Sequence, residues 1–376
     1  MRPRLQVCNV FLVAKECLKK EENVKINIRV TGVDIIWTSE RGETVQVINL
    51  QDYKLKPLSL SGLQIQKNSI SFRVQTEPLS TITGSLKSEV LPLNQSLQEY
   101  IPLPAPCVPI NKPCEITCSC CGKVLTKQST SFTRVLPLPS SGSLDISDWF
   151  CHRHTDSPNL QASVLVPKET DCFYGLCHIL LKTSLLNLDS KQIVTCNRCM
   201  SWLGTCSNSI AKLWYCTISC NKNVSSSALQ DFKLVVTKAL KETFALTCRL
   251  ILETKLSVDG SQYLLLWVID KELDVLVGPQ VSGSHTSTNL KAKKISKLLY
   301  TYRKDADDVV KSWQNDVNVQ CVEIAKQMFT EGLMYLMNGT ELIPGPHKMT
   351  NKYFVSYMGL WHETGSVFCC ITELLN

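Results

Sequence analysis

The sequence has no long apolar run. A helix needs about 18 or more consecutive apolar residues to cross a bilayer, and the longest good run, Tyr263 to Ile269, falls far short. A membrane-spanning helix is therefore not expected. Blocks of like charge are missing too. Forty Lys plus Arg against 33 Asp plus Glu leave a net charge of +7 spread along the chain, which gives no support to direct binding of nucleic acid. The only basic cluster, Lys291, Lys293, Lys294, Lys297, Arg303 and Lys304, reads as the solvated face of a helix rather than a groove for phosphates. There is no Walker loop, no dinucleotide fingerprint, no His-Glu-x-x-His and no solenoid repeat. The first residues, Met1 to Ala14, resemble a secretory signal only faintly. Gln6 and Asn9 interrupt the apolar stretch and no small-residue cleavage site follows, so the segment reads as a first β-strand.

What the chain does have is cysteine, 19 in 376 residues. An odd number spread over a long chain is unlike the dense, even framework of a small secreted domain, and a reducing compartment is expected. Cys8, Cys17, Cys248 and Cys321 lie among apolar neighbours and read as small buried hydrophobes. With 44% apolar and 19% charged residues the composition is globular, and the length suits two or three compact units.

Alternation of apolar residues at Ile26, Ile28 and Val30, at Val45 and Val47, and at Ile70, Phe72 and Val74 predicts an antiparallel β-domain over 1–91. Prolines 92, 102, 104, 106, 109 and 113 forbid helix and central strand, so 92–113 reads as an extended connector. A cysteine-rich region follows over 114–206, then an α+β region over 207–376. In the last of these, helical spacing predicts helices over about 228–251, 290–303 and 318–337, the first opened by a Ser227 to Gln230 capping box. A hairpin is expected over 254–269, turning at Asp259-Gly260. The expected class is α+β, mainly β.

The sharpest chemical signal is a pair of Cys-x-x-Cys knuckles, Cys118 with Cys121 and Cys196 with Cys199. Each spacing lets two thiolates reach one ion from a tight turn, and two such turns make a closed tetrahedral four-cysteine zinc site of the structural kind. A redox pair and coincidence are the competing readings, and Cys120 could replace a neighbouring ligand. A second cluster, Trp149, Phe150, Cys151, His152, Arg153 and His154, could ligate a metal, serve as a nucleophile with a His base, dock a partner, or be an ordinary surface loop. Asp171 and Cys172, before an aromatic turn, read as the start of a buried strand. Cys369 and Cys370 are the C-terminal thiols that could accept a thioester, although no base stands beside them in sequence. The catalytic residues are thus unknown.

Taken in order, Cys118-x-x-Cys121-Gly, Arg134-Val-Leu-Pro-Leu-Pro-Ser140 leading to Trp149-x-Cys151-His152, Asp171-Cys172-Phe173, Cys196-x-x-Cys199-x-x-x-Gly204 and Tyr263-Leu-Leu-Leu-Trp267 resemble the HECT-like ubiquitin-conjugating-enzyme-binding family. The resemblance covers most of the chain. It implies a ubiquitin ligase that receives ubiquitin from a conjugating enzyme, with a docking stretch at about 205–228, a C-terminal region loosely like a HECT lobe, and cyclin B as a further partner. It also implies a link to the metallo-β-lactamase endonuclease of pre-mRNA cleavage and polyadenylation. There the segment 137–166 would dock, with Trp149 and His152 flanking a Cys151 thiol that reaches the partner's zinc centre. Such a protein is expected in cytoplasm and nucleus. A non-catalytic adaptor bound to that endonuclease is the alternative to the ligase.

Overall fold

A computed structural model describes residues 6–13, 24–39, 42–50, 53–66, 69–78, 103, 107–127, 130–138, 166–188, 192–221, 223–224, 226–243, 247–257, 260–277, 285–341, 343, 345–359 and 367–373. The chain forms two compact units. One takes residues 1–96, 267–301 and 336–376, the other 97–266 and 302–335. The fold is α+β and mainly β, with three α-helices among the described residues: α1 Ala228–Glu242, α2 Asp308–Gln314 and α3 Lys326–Glu341. None is long and apolar enough to cross a membrane.

In the first unit, Val24–Arg29, Gly32–Ser39 and Gly42–Leu50 form the expected antiparallel meander. Gly32 sits where the first turn closes, and a Cβ there would lie 2.3 Å from the Ile48 carbonyl oxygen, so only glycine lets the strands approach. Ile70, Phe72 and Val74 are buried in Ser69–Pro78 as their alternation predicts. In Gly42–Leu50 the inward face differs from the expected one. Gln46, Ile48 and Leu50 are buried, while Val45 and Val47 fall on the half-buried face, because β-branched residues suit either side of a pleated sheet. Gln6–Val13 pairs with both Ser69–Pro78 and Val367–Glu373.

Residues 290–303 are not helical. They belong to the strand His285–Arg303, which pairs parallel with Val45–Leu50 and antiparallel with Tyr353–Met358. Leu298, Leu299 and Tyr300 are consecutive and all buried. Successive strand residues point to opposite faces, so both faces are covered here, and Ile295, Leu298 and Leu299 imitate helical spacing without it.

The second unit holds a six-stranded sheet in the order Ile193–Thr195, Trp202–Ser207, Ile210–Trp214, His178–Lys182, Asp171–Tyr174, Arg134–Pro137. A three-stranded sheet joins Ile116–Cys118 to Ile218–Cys220 and Asn223–Val224. One core spans the two, including Ile116, Leu125, Phe132, Ile179, Leu181, Leu203 and Leu213, with Cys118 and Cys196. The Ser227 hydroxyl accepts from Gln230 N–H at 3.2 Å and starts α1. The helix stops at Glu242 rather than near 251, because Cys248–Lys255 forms a strand paired in parallel with Val319–Glu323. That pairing also moves the start of α3 to Lys326, eight positions after the expected 318. The hairpin expected over 254–269 is present as Cys248–Lys255 paired with the strand that begins at Ser261.

Candidate metal centre

Two hairpin tips carry the centre, and both end in the same turn. Ile116–Cys118 runs to the first tip, where Thr117 bridges Val124 on the returning strand. The second tip joins Ile193–Thr195 to Trp202–Ser207. Each leading cysteine closes the same two backbone bonds. Cys118 N–H donates to Lys123 O at 2.9 Å and Cys118 O accepts from Gly122 N–H at 2.9 Å. Cys196 N–H donates to Ser201 O at 2.9 Å and Cys196 O accepts from Met200 N–H at 2.8 Å. The residue after each second cysteine must turn through left-handed backbone. Gly122 does so at φ +69° and Met200 at φ +58°.

The fold brings these tips together although Cys121 and Cys196 are 75 positions apart. The four sulfurs all lie within 4.8 Å of one another, with Cys118 to Cys199 at 3.7 Å and Cys121 to Cys196 at 3.6 Å. Zinc–sulfur bonds of about 2.3 Å at tetrahedral angles put thiolates about 3.8 Å apart. The sulfur cage thus has the size of one metal ion. Cys120 is exposed and stands outside this group.

Electrostatics at the sulfurs follow from the turns. Burial pushes the Cys118 thiol up to about 12, opposed by the backbone N–H groups of Cys121 and Cys120. The Ser201 hydroxyl, 3.2 Å from Cys199 Sγ, and the Ser201 backbone N–H hold the Cys199 thiol down to about 6. Thiolate charge is therefore welcomed at one tip and resisted at the buried position of the other. A cation at the centre is what would let all four sulfurs carry charge at neutral pH.

Next to this core, Asp171 and Arg134 face each other across the parallel pair Arg134–Pro137 and Asp171–Tyr174. The guanidinium Nε donates to Oδ1 at 2.9 Å and Nη2 reaches Oδ2, while Lys168 N–H adds a bond at 3.1 Å. Arg134 holds the fully buried Asp171 carboxyl below the usual carboxylate range. Asp171 is thus the start of a buried strand, and its charge is partnered. Trp149, Cys151 and His152 lie outside the described residues. Cys369 and Cys370 occupy a strand paired on both edges, Cys369 opposite Val10 and Leu276, Cys370 opposite Asn9 and Val275.

Among known families, the model of the HECT-like ubiquitin-conjugating enzyme (E2)-binding family matches residues 1–355. The chain belongs to that family. No curated protein and no solved structure matches it. In this HECT-like E2-binding protein, the stretch 205–228 is built largely into sheets, with Ala211, Leu213, Trp214, Tyr215, Ile218 and Cys220 buried. Ser207, Asn208 and Ser209 are exposed at the turn between two of its strands.

Reading the sequence missed Ser201, Met200 and the Arg134–Asp171 pair. The repeat of knuckle spacing held a signal for the first two: position five after the leading cysteine is where the backbone closes, and position four is where it must turn left-handed. The ion pair had none, since 37 positions separate its members.

Proposed function

We propose that this HECT-like E2-binding protein is a ubiquitin-protein ligase that takes ubiquitin from a ubiquitin-conjugating enzyme, and that its four cysteines hold one structural zinc. The match to an E2-binding family over residues 1–355 carries the first part. The sulfur spacing supports the second, because thiolates favour zinc and four protein ligands leave no position for activating water. The ion's role is then to lock two hairpin tips together.

In a HECT-type transfer, a ligase thiolate attacks the thioester carbonyl at the ubiquitin C-terminus and expels the conjugating enzyme's cysteine. Cys369 and Cys370 are the C-terminal thiols that would take this role. Conjugating enzyme charged with ubiquitin is mixed with the chain and resolved without reductant. A reducible adduct on the chain, or faster discharge onto free lysine, supports the ligase reading. Absence of both with every conjugating enzyme tried removes it, and metal analysis finding no zinc removes the structural ion.

The adaptor is a second reading, favoured by one feature of the fold. Arg134–Pro137 is the edge of the six-stranded sheet and is pinned by the bidentate Arg134–Asp171 pair, so the segment that follows leaves from a fixed point. Cys151 would approach the zinc centre of a metallo-β-lactamase endonuclease. Cys151→Ala should abolish co-purification of that nuclease without lowering thermal stability, and unchanged binding would remove the reading.

A further inference from the structure

The metal centre does not use all the clustered thiols of the second unit. Cys107, Cys114 and Cys220 form another group. Cys220 Sγ lies 2.8 Å from Cys107 Sγ, and Cys114 is buried in the same core. At the metal centre the close sulfur pairs stand 3.7 and 3.6 Å apart, as ligands around an ion should. At 2.8 Å nothing fits between two sulfurs. Among the described residues the knuckle set is the group of cysteines close enough to share an ion, so a second metal is not the reading of this cluster.

The backbone fixes the thiols where they are. Cys220 pairs with Ile116 in the three-stranded sheet, and Asn221 N–H donates to Glu115 O at 2.8 Å while Glu115 N–H donates to Asn221 Oδ1 at 2.9 Å. Cys114 N–H donates to Thr130 O at 2.9 Å and Asn111 N–H to Phe132 O at 2.8 Å, which pins the segment after Cys107. Cys220 is buried and Cys107 half-buried against the same core.

We propose that Cys107 and Cys220 form a reversible disulfide, a modification site separate from the metal centre, made by exchange with a small-molecule disulfide such as oxidised glutathione. The half-buried Cys107 reacts first. Its thiolate attacks one sulfur of the small disulfide, forming a mixed disulfide and expelling one thiolate. The Cys220 thiolate then attacks the Cys107 sulfur and expels the second. The two cysteine protons end on the two released thiols, the cysteines lose two electrons together, and the small disulfide gains them. The bridge would tie the segment before Ile116 to the strand beside the Cys118-bearing strand across 113 positions, so that oxidation braces the sheet that presents a knuckle.

The full chain as purified is equilibrated with graded ratios of reduced to oxidised glutathione, acid-quenched, alkylated, digested and mapped by mass spectrometry. A Cys107–Cys220 linked peptide that is lost with dithiothreitol and in Cys107→Ala, but kept in Cys114→Ser, is expected. The bridged form should also melt at a higher temperature than the reduced form after metal is chelated. Full alkylation of Cys107 and Cys220 at every ratio overturns the proposal, as does linkage of Cys220 to Cys114 in preference to Cys107. Because Cys107 is half-buried, its alanine variant should fold, which circular dichroism checks, and the mapped peptide is distinct from any peptide joining the four knuckle cysteines. Failure of the zinc reading and failure of this one are therefore distinguishable.

Discussion

The two knuckles make the same turn with different residues, and that difference sets a reciprocal experiment. Left-handed backbone costs a residue with a β-carbon roughly 1–2 kcal/mol. Met200 bears this cost at φ +58° with its side chain 70% exposed, so Met200→Gly removes the strain and little packing. Glycine's extra freedom in the unfolded chain returns about 0.4–1 kcal/mol of the gain, leaving a net stabilisation of about 0.5–1 kcal/mol. Gly122→Ala runs the other way. Nothing lies within 4 Å of an added Cβ, so its loss, also about 0.5–1 kcal/mol, is purely conformational. Denaturant midpoints with and without chelator, together with competition for metal, measure both variants. If the turns form only around the ion, the same energies appear as about a two- to fivefold change in metal affinity, at about 1.4 kcal/mol per tenfold. A less stable Met200→Gly, or a neutral Gly122→Ala, would refute the left-handed turn at that tip.

Cys121→Ser should cost metal and structure together, with tight metal binding lost and the second unit melting at a lower temperature in calorimetry whether or not chelator is present. An unchanged melting curve would mean that the sulfur cage holds no ion. Asp171→Asn should destabilise by about 1.5–3 kcal/mol, the range for charge-assisted bonds, and toward its low end because Arg134 is half exposed. The Asp171 carboxyl is held low in the folded chain, so its contribution is present above the ordinary carboxylate range and fades as pH falls through its folded value; denaturation midpoints from pH 7 to pH 3 should show the variant losing less than the parent. Asp231 has the opposite sign. Burial pushes it up to about 6 from an ordinary 3.8, against the Ser226 hydroxyl 2.7 Å away. The folded chain therefore holds this proton more tightly than the unfolded one, and stability falls as pH rises from about 4 through about 6. Asp231→Asn should be more stable than the parent at pH 8, by about 3 kcal/mol at most, with the gap closing below pH 4; an equal gap at both pH values would refute the buried-charge account.

The parts of this fold that could be read in the sequence are those where one local rule had no rival. In the strand Ser69–Pro78 the apolar alternation at Ile70, Phe72 and Val74 names buried residues, and α1 opens with a hydroxyl that meets Gln230 N–H. The knuckles were legible because two thiolates three positions apart can meet one ion only from a turn. The errors fell where tertiary burial erased the pattern. Leu298, Leu299 and Tyr300 are all buried in one strand, so the period of two vanished and the remaining spacing looked helical. The first part of Cys248–Lys255, up to 251, carries helical spacing because its partner strand, Val319–Glu323, arrives from far along the chain, and no local property announces a parallel neighbour.

The two tips bear on folding as well as on the ion. Cys118 and Cys196 are core residues, packed with Ile116, Val194 and Leu203, while Cys121 and Cys199 sit half-buried at its margin. Moving an ion into such a cage requires the core to be assembled, and assembling the core without the ion leaves the Cys118 thiol where burial drives it to about 12. Each process therefore favours the other by the same free energy. If the cage holds an ion, the ion and the hydrophobic core around Cys118 and Cys196 are lost in one transition: chelator should move the melting reported by Trp202 and Trp214, buried beside the core residues Leu203 and Leu213 and stacked with ring centres 6.5 Å apart, and acid should do the same by protonating the knuckle thiolates.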